Sequence, residues 1–266
     1  MDYDPNAVAE QEYKSWQRSA DKYIKNIAPM TATSGQVPIL CEIGLIDGNS
    51  HVLEIGCGTG DVCIQLSEIA MRVVGTDFAE NMIHIATDRF PKLEFKVANA
   101  EDVPYDDNEF DVVVCNYTAH HFARPLVVFE EARRVLKPGG RLAIIMPIQS
   151  EQKCFGSFFA SASEELPPED VPGGTLLYVD DPAVVGLMVK ESGFTNIVSE
   201  KRIKPIKLEH IDLLLKTGWS IFGLDDQPQD VQNRIRTKTI QRAEPYKQAD
   251  GSYDFPDVVI VVSGTK

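Results

Sequence analysis

The sequence predicts an α/β protein: a doubly wound, seven-stranded, mostly parallel sheet with helices on both faces. Three observations carry that prediction. From His51 onward, short apolar runs alternate with amphipathic helical stretches, and strands that are apolar throughout belong to a parallel sheet covered on each side. The first such strand runs directly into Gly56-Cys57-Gly58-Thr59-Gly60 and then into a helix. A turn with glycines at alternate positions lets a ligand approach the backbone without meeting Cβ atoms. The second strand closes on Asp77, an acid at the carboxyl edge beside that turn.

Two helices precede the sheet and form an N-terminal helical lid segment, 1–50. Residues 7–28 carry Tyr13, Trp16, Tyr23, Ile24 and Ile27 and stop before Pro29; residues 35–46 carry Val37, Ile39, Leu40, Ile43 and Leu45. The turn Asp47-Gly48-Asn49-Ser50 leads into the core, 51–206. Strand 51–55 is followed by helix 61–70, strand 72–77 by helix 79–89, and strand 93–97 by an acidic loop, Glu101 to Asn108. The valine-rich strand 110–115 precedes helix 125–136, which Lys137-Pro138-Gly139-Gly140 ends before strand 141–146. Residues 147–180, rich in Ser, Glu, Pro and Gly, read as a long irregular loop, a kind that is usually functional. Helix 182–192 and strand 196–202 follow. A helical cap insertion, 207–250, holds helices 208–217 and 228–243 around Trp219-Ser220-Ile221-Phe222-Gly223-Leu224, and 251–266 returns with strand 258–262. Right-handed crossovers wind the helices onto both faces.

The formal net charge of −14 over 266 residues repels phosphate backbones, so a nucleic-acid partner is disfavoured and a small molecule favoured. Arg133, Arg134, Lys137 and Arg141 read as a solvated helix end. The five cysteines (Cys41, Cys57, Cys63, Cys115, Cys154) form no CxxC pair and have apolar neighbours, which fits free thiols in a reducing compartment rather than disulfides or a metal site. The acidic start Met1-Asp2-Tyr3-Asp4-Pro5 has no signal-peptide core, and no apolar run approaches the ~18 residues of a membrane span. The expectation is a cytoplasmic protein, monomeric or homodimeric.

Asp77 is placed to accept hydrogen bonds from both hydroxyls of a ribose, or to cap the helix that follows. The turn spacing is GxGxG, not the GxGxxG of dinucleotide sites, and Asp61 opens the next helix. A carboxylate there opposes a pyrophosphate at the helix N-terminus, whereas an adenosine without phosphates meets no such repulsion. The chemistry points to S-adenosylmethionine.

At this point the chain resembles the class I S-adenosylmethionine-dependent methyltransferases over 51–147. Val52-Leu53-Glu54-Ile55-Gly56-Cys57-Gly58-Thr59-Gly60 looks like their first motif and Val73-Val74-Gly75-Thr76-Asp77 their second. Asn99-Ala100-Glu101-Asp102-Val103-Pro104-Tyr105 is similar to their adenine loop, Phe110-Asp111-Val112-Val113-Val114 to their fourth strand, and Leu136-Lys137-Pro138-Gly139-Gly140-Arg141-Leu142 to the turn before their fifth. The nearest subgroup is that of ubiquinone and menaquinone C-methyltransferases (methyltransferase type 11), whose members often carry Asn-Ala in the adenine loop. The resemblance implies a Rossmann-like methyltransferase fold with an antiparallel last strand.

It also implies roles. Gly56, Cys57, Gly58 and Thr59 would pass under the methionine and sugar. Glu54 would stand near the methionine amino end, or orient the glycine turn. Asp77 would hold the ribose, and Phe78 and Met82 would flank the adenine or belong to the core. Asn99 would accept from the adenine amine, Ala100 would donate its N–H to a ring nitrogen, and Glu101 belongs to the same loop. Asn116 would sit near the methionine, or cap a turn.

The implied reaction is S-adenosylmethionine-dependent methylation of C, O or N on a small acceptor, releasing S-adenosyl-L-homocysteine, with no metal. The alternative is a cofactor-binding protein without methyl transfer, isomerase- or cyclase-like or regulatory. Because the leaving sulfur is neutral, a base is needed only where the nucleophile must lose a proton. His120 and His121 follow strand four at the carboxyl edge and are the candidates, with a structural role as the other reading. Quinone methyltransferases carry a Gly-Leu-Arg-Asn-like stretch where this chain has Thr118-Ala119-His120-His121, so the acceptor is not read from the resemblance. Tyr13, Trp16, Tyr23, Trp219 and Phe222 are candidates for an apolar pocket wall, or for simple packing.

Overall fold

A computed structural model describes residues 3–28, 35–167, 179–222, 224 and 226–266, with the side chains of Gln149, Ile221 and Phe222 outside that description. Helix α1 (Pro5–Asn26) begins where Asp4 accepts hydrogen bonds from the N–H groups of Asn6 and Ala7, with Pro5 in its first turn. A side-chain acceptor before a proline satisfies donors that a helix start leaves open. Helix α2 (Gln36–Gly44) then leads to the sheet.

The sheet contains β1 (His51–Ile55), β2 (Arg72–Asp77), β3 (Glu94–Val97), β4 (Phe110–Asn116), β5 (Leu136–Pro147), β6 (Thr195–Ile203) and β9 (Val258–Thr265). Its order is β3-β2-β1-β4-β5-β9-β6. β1 to β5 pair in parallel, and β9 lies antiparallel between β5 and β6. The mostly parallel sheet with an antiparallel last strand is therefore as expected. Helices α3 (Asp61–Leu66), α4 (Glu80–Arg89), α5 (Pro125–Val135) and α7 (Pro182–Glu191) connect the strands. Side chains alternate across the strands: Leu53, Val113 and Ile144 enter one core layer with Phe129 and Val189, while Val52, Val114 and Ile145 enter the other with Leu40 and Leu66. Burial on both faces is why these strands read as continuous apolar runs.

One segment differs from its sequence reading. Within 147–180, residues Cys154–Glu165 form helix α6. Ser157 and Ser161 send their hydroxyls back to the carbonyls of Lys153 and Ser157, which hides the helix behind loop-like residues. Its Phe158 and Ala162 join a separate apolar cluster with Leu214, Leu215 and Ile235 of α8 (Ile211–Phe222) and α9 (Gln229–Ala243). The small antiparallel pair β7 (Ile206–Leu208) and β8 (Tyr253–Phe255) closes this cap. The residues 168–178 of the expected loop lie outside the described ones. Two elements are also shorter or longer than expected: α3 stops at Leu66, and β5 already starts at Leu136, across Pro138-Gly139-Gly140.

Candidate functional site

The glycine turn is held against β2 by its own backbone. Gly56 and Cys57 N–H both donate to the Thr76 carbonyl, at 2.7 and 2.9 Å. Gly56 has φ +73°, and a Cβ there would collide with Thr118 Oγ1 on the segment after β4. The turn can therefore pass under that segment only as glycine. Gly58 N–H donates to Asp77 Oδ2 at 2.9 Å, and Ala79 N–H donates to Asp77 Oδ1 at 2.9 Å. Asp77 thus ties the turn to the start of α4 and caps that helix. It is buried, and burial raises its carboxyl above the usual range while those two donors oppose the rise.

Asp61 differs from its expected part. Its carboxylate accepts from Thr59 Oγ1 at 2.5 Å and is held on both oxygens by Arg89, at 2.8 and 3.0 Å. Arg89 also donates to the Thr59 carbonyl at 2.8 Å. The charge that was expected to oppose a pyrophosphate is therefore neutralised by a guanidinium that sequence spacing did not disclose. What remains against a dinucleotide is the turn spacing.

Glu54, at the end of β1, is fully enclosed: Cys63 Sγ donates to its Oε2 at 2.9 Å, and burial pushes its pKa up to about 8. Its side-chain contact is with Cys63 of α3. Cys57 is buried as well, its thiol pushed up to about 11 by burial.

A cavity of about 570 Å³ opens beside β2 and β3, lined on the core side by Phe78, Val97, Ala98, Asn99, Glu101 and Arg124 and on the outer side by α1. Phe78, Asn99 and Glu101 are thus brought together. Met82 and Ala100 are not among the lining residues; Met82 is buried between α4 and α1 with Ala20 and Ala79. Asn99 Oδ1 accepts from the Glu101 N–H at 3.0 Å, and Glu101 pairs with Arg124 at 3.1 Å. Among the described residues, the Asn116 Oδ1 at the end of β4 is buried without a hydrogen-bond partner.

The two histidines fall into different surroundings. His120 Nδ1 is buried without a partner among the described residues, and burial drives its ring well below the usual histidine range, so it is neutral. His121 Nδ1 lies 2.9 Å from Oε2 of Glu12 on α1, and Trp16 Nε1 donates to the same oxygen at 3.1 Å. Where Glu12 Oε2 accepts from this ring, Nδ1 is the donor and Nε2 is the nitrogen that Glu12 does not engage. Sequence reasoning missed Glu12; the one signal was an acid four residues before Trp16 in an aromatic stripe.

Lys204 and Asp257 are also new. Both are buried at the carboxyl edge, where β6 ends and β9 begins. Lys204 Nζ lies 5.4 Å from the centre of the Tyr117 ring, and burial lowers its pKa to about 8. Asp257 Oδ1 accepts from the N–H groups of Lys153 and Cys154 at the start of α6. Tyr117, the residue after β4, has φ +52°, a strained backbone of the kind that collects at functional sites.

Among the described residues, no group of three or more His, Cys, Asp or Glu is arranged to hold a metal, and no helix is long and apolar enough to cross a membrane. All five cysteines are free.

Strand order, glycine turn and the acid closing β2 define a doubly wound nucleoside-cofactor protein. Comparison with known proteins makes the family plain. A methyltransferase-domain profile matches residues 53–144. The demethylmenaquinone methyltransferase of Staphylococcus epidermidis is 30% identical over 174 residues, covering 58% of this chain and 71% of that protein. The enzyme of the same name from Oceanobacillus iheyensis is 32% identical over 146 residues, covering 52% of this chain and only 53% of that protein, so the chain spans about half of it. The solved YcgJ protein of Bacillus subtilis superposes with a TM-score of 0.57 at 19% identity, over 86% of this chain and 97% of that one, a likeness of fold. The chain belongs to the S-adenosylmethionine-dependent methyltransferase family.

Proposed function

We propose that this protein transfers the methyl group of S-adenosylmethionine to carbon, oxygen or nitrogen of a small-molecule acceptor. The observation that carries the reading is the joining of the glycine turn to Asp77, the residue before Phe78, which with Asn99 lines an open cavity. The residues fit such a cofactor: a Gly58 Cβ would have only the Tyr23 ring near it, at 3.9 Å, and the buried Asn116 Oδ1 at the end of β4 has no hydrogen-bond partner among the described residues. When bound, the cofactor supplies an electrophilic methyl on a positively charged sulfur.

The chain's own part is to bind, orient and exclude water. Gly56, Cys57, Gly58 and Thr59 are assigned to the cradle under the methionine and sugar. Asp77 keeps a second lone pair on each oxygen for the ribose hydroxyls. Phe78 gives the adenine an apolar face, and Asn99 with the Ala100 N–H reads its edge. Holding the acceptor atom in line with the methyl, away from water, accounts for much of the rate such a displacement needs. Where the acceptor must lose a proton, His121 Nε2 is the assigned receiver, with Glu12 holding the opposite nitrogen.

Isothermal titration with S-adenosylhomocysteine tests the cofactor half; the expected dissociation constant is micromolar, and no heat at millimolar ligand sinks the reading. A tritiated-methyl assay over carbon, oxygen and nitrogen acceptors tests the transfer half. Binding without turnover across that panel would favour the cyclase-like or regulatory alternative.

A further inference from the structure

The N-terminal half of helix α1 borders the cavity beside β2 and β3, while its far end meets α8 of the cap, where the Thr217 hydroxyl donates to the Asn26 carbonyl at 2.6 Å. Its residues Asn6, Ala9, Glu10 and Tyr13 recur at helical spacing on one face and line the cavity opposite Phe78 and Asn99. Further along the same helix, the Tyr23 hydroxyl lies 3.9 Å from where a Cβ of Gly58 would be. The helix is fastened to the rim of that cleft at several points. The Tyr3 hydroxyl donates to the Ala123 carbonyl at 2.6 Å, and Arg124 joins Asn6 to Glu101. Asn81 donates twice to Gln17, from its backbone N–H to Oε1 at 3.1 Å and from Nδ2 to the carbonyl at 2.8 Å. Glu12 holds His121.

Within the cavity, Tyr13 is the one aromatic side chain from α1, its ring meeting Phe78 edge-on with centroids 5.8 Å apart. It remains 37% exposed, a large apolar surface left open at the mouth of the cavity. Ala9, one turn earlier, is small and leaves width for a planar ring. Tyr13 and Phe78 meet as one aromatic corner, and with Asn99 and the loop backbone they offer what a purine requires: aromatic surface to lie against and a polar edge for its nitrogens.

We propose that Tyr13 is the outer wall of the adenine pocket, so that α1 is a structural part of the cofactor site. The inference rests on the S-adenosylmethionine reading above and assigns the helix to the purine, where sequence alone had left its aromatics as candidates for an apolar acceptor pocket.

Titration of wild type, Tyr13→Phe and Tyr13→Ala with two probes tests it: S-adenosylhomocysteine, and 5′-methylthioadenosine, which keeps the adenosine and lacks the amino-acid end. Tyr13→Ala is expected to weaken both probes by the same factor, about tenfold, the scale of losing one ring from a base stack. Tyr13→Phe is expected to bind both as wild type. Loss confined to S-adenosylhomocysteine would overturn the assignment and put Tyr13 at the methionine end. Unchanged binding by Tyr13→Ala would overturn it outright. Absence of binding by wild type itself would remove the cofactor reading, and this wall with it. Thermal melting without ligand separates binding from folding, because the exposed Tyr13 ring is expected to change the transition little.

Discussion

The two ends of the sheet's carboxyl edge are built on different principles. On the β1–β2 side the floor is made of backbone: Gly56, Cys57 and Gly58 N–H groups bonded to Thr76 and Asp77, with almost no side-chain freedom. On the β6–β9 side the cap is made of side chains, a second apolar cluster around Phe158 that touches the sheet through Lys204 and Asp257. Each side also buries an ionisable group out of its ordinary range, and in opposite senses. The acid Glu54 is pushed up to about 8, and the amine Lys204 is brought down to about 8. A floor held by these short bonds tolerates one conformation; a cap held by packing can be repacked without disturbing that floor.

Four measurements break or sharpen this contrast. The largest effect is expected in the cap. Phe158 is fully buried against Gly218 and the Trp219 ring, 4.9 Å between centroids, so Phe158→Ala should lower unfolding free energy in urea by about 3–5 kcal/mol. S-adenosylhomocysteine affinity should hold within a factor of two; a large loss would mean that cap and floor are one unit. Next comes Gly56→Ala, which forces a Cβ onto Thr118 at φ +73° and should cost roughly 2–4 kcal/mol of stability and abolish cofactor binding. A variant that binds normally would show that the turn is not the cradle.

Asp77→Asn keeps the shape and removes the charge. Because Asn offers an oxygen on one side only, either the Gly58 or the Ala79 N–H loses its acceptor, and S-adenosylhomocysteine should bind weaker by about 1–3 kcal/mol in calorimetry. The smallest effects are slopes of stability with pH. Glu54 holds its proton to about 8 in the folded state and loses it near the ordinary glutamate value when unfolded. The folded state therefore binds more protons between those values, and stability falls as pH rises through that window. Lys204 does the reverse: folded, it gives up its proton near 8, well before the unfolded side chain does. Its share of stability rises with pH above 8. Glu54→Gln and Lys204→Met should each flatten one limb, by up to about 1.4 kcal/mol per pH unit. Denaturation series showing both limbs unchanged would refute the paired shifts.

How much of this was legible beforehand follows the same division. Strand after strand, Val52-Leu53, Val73-Val74 and Val112-Val113-Val114 reveal a sheet buried on both faces, because both faces demand apolar residues. The glycine turn and Asp77 are legible because positive φ and a close approach restrict the residue choice. Helix α6 was not, since its serines satisfy their hydroxyls on their own helix and only Phe158 and Ala162 signal packing. Arg89 on Asp61, Glu12 on His121 and Lys204 beside Tyr117 are contacts between residues 28, 109 and 87 positions apart. No local pattern encodes such pairs.

By itself, then, the sequence determined the mostly parallel sheet and the glycine turn beside a strand-ending acid, because hydrophobic period, glycine and that acid are local constraints with few solutions. Only tertiary structure decided which charges are neutralised, which histidine is held by a carboxylate, and that α1 borders the cavity lined by Phe78 and Asn99. Those outcomes depend on where separate elements meet, and burial then sets the ionisation of whatever has been brought together.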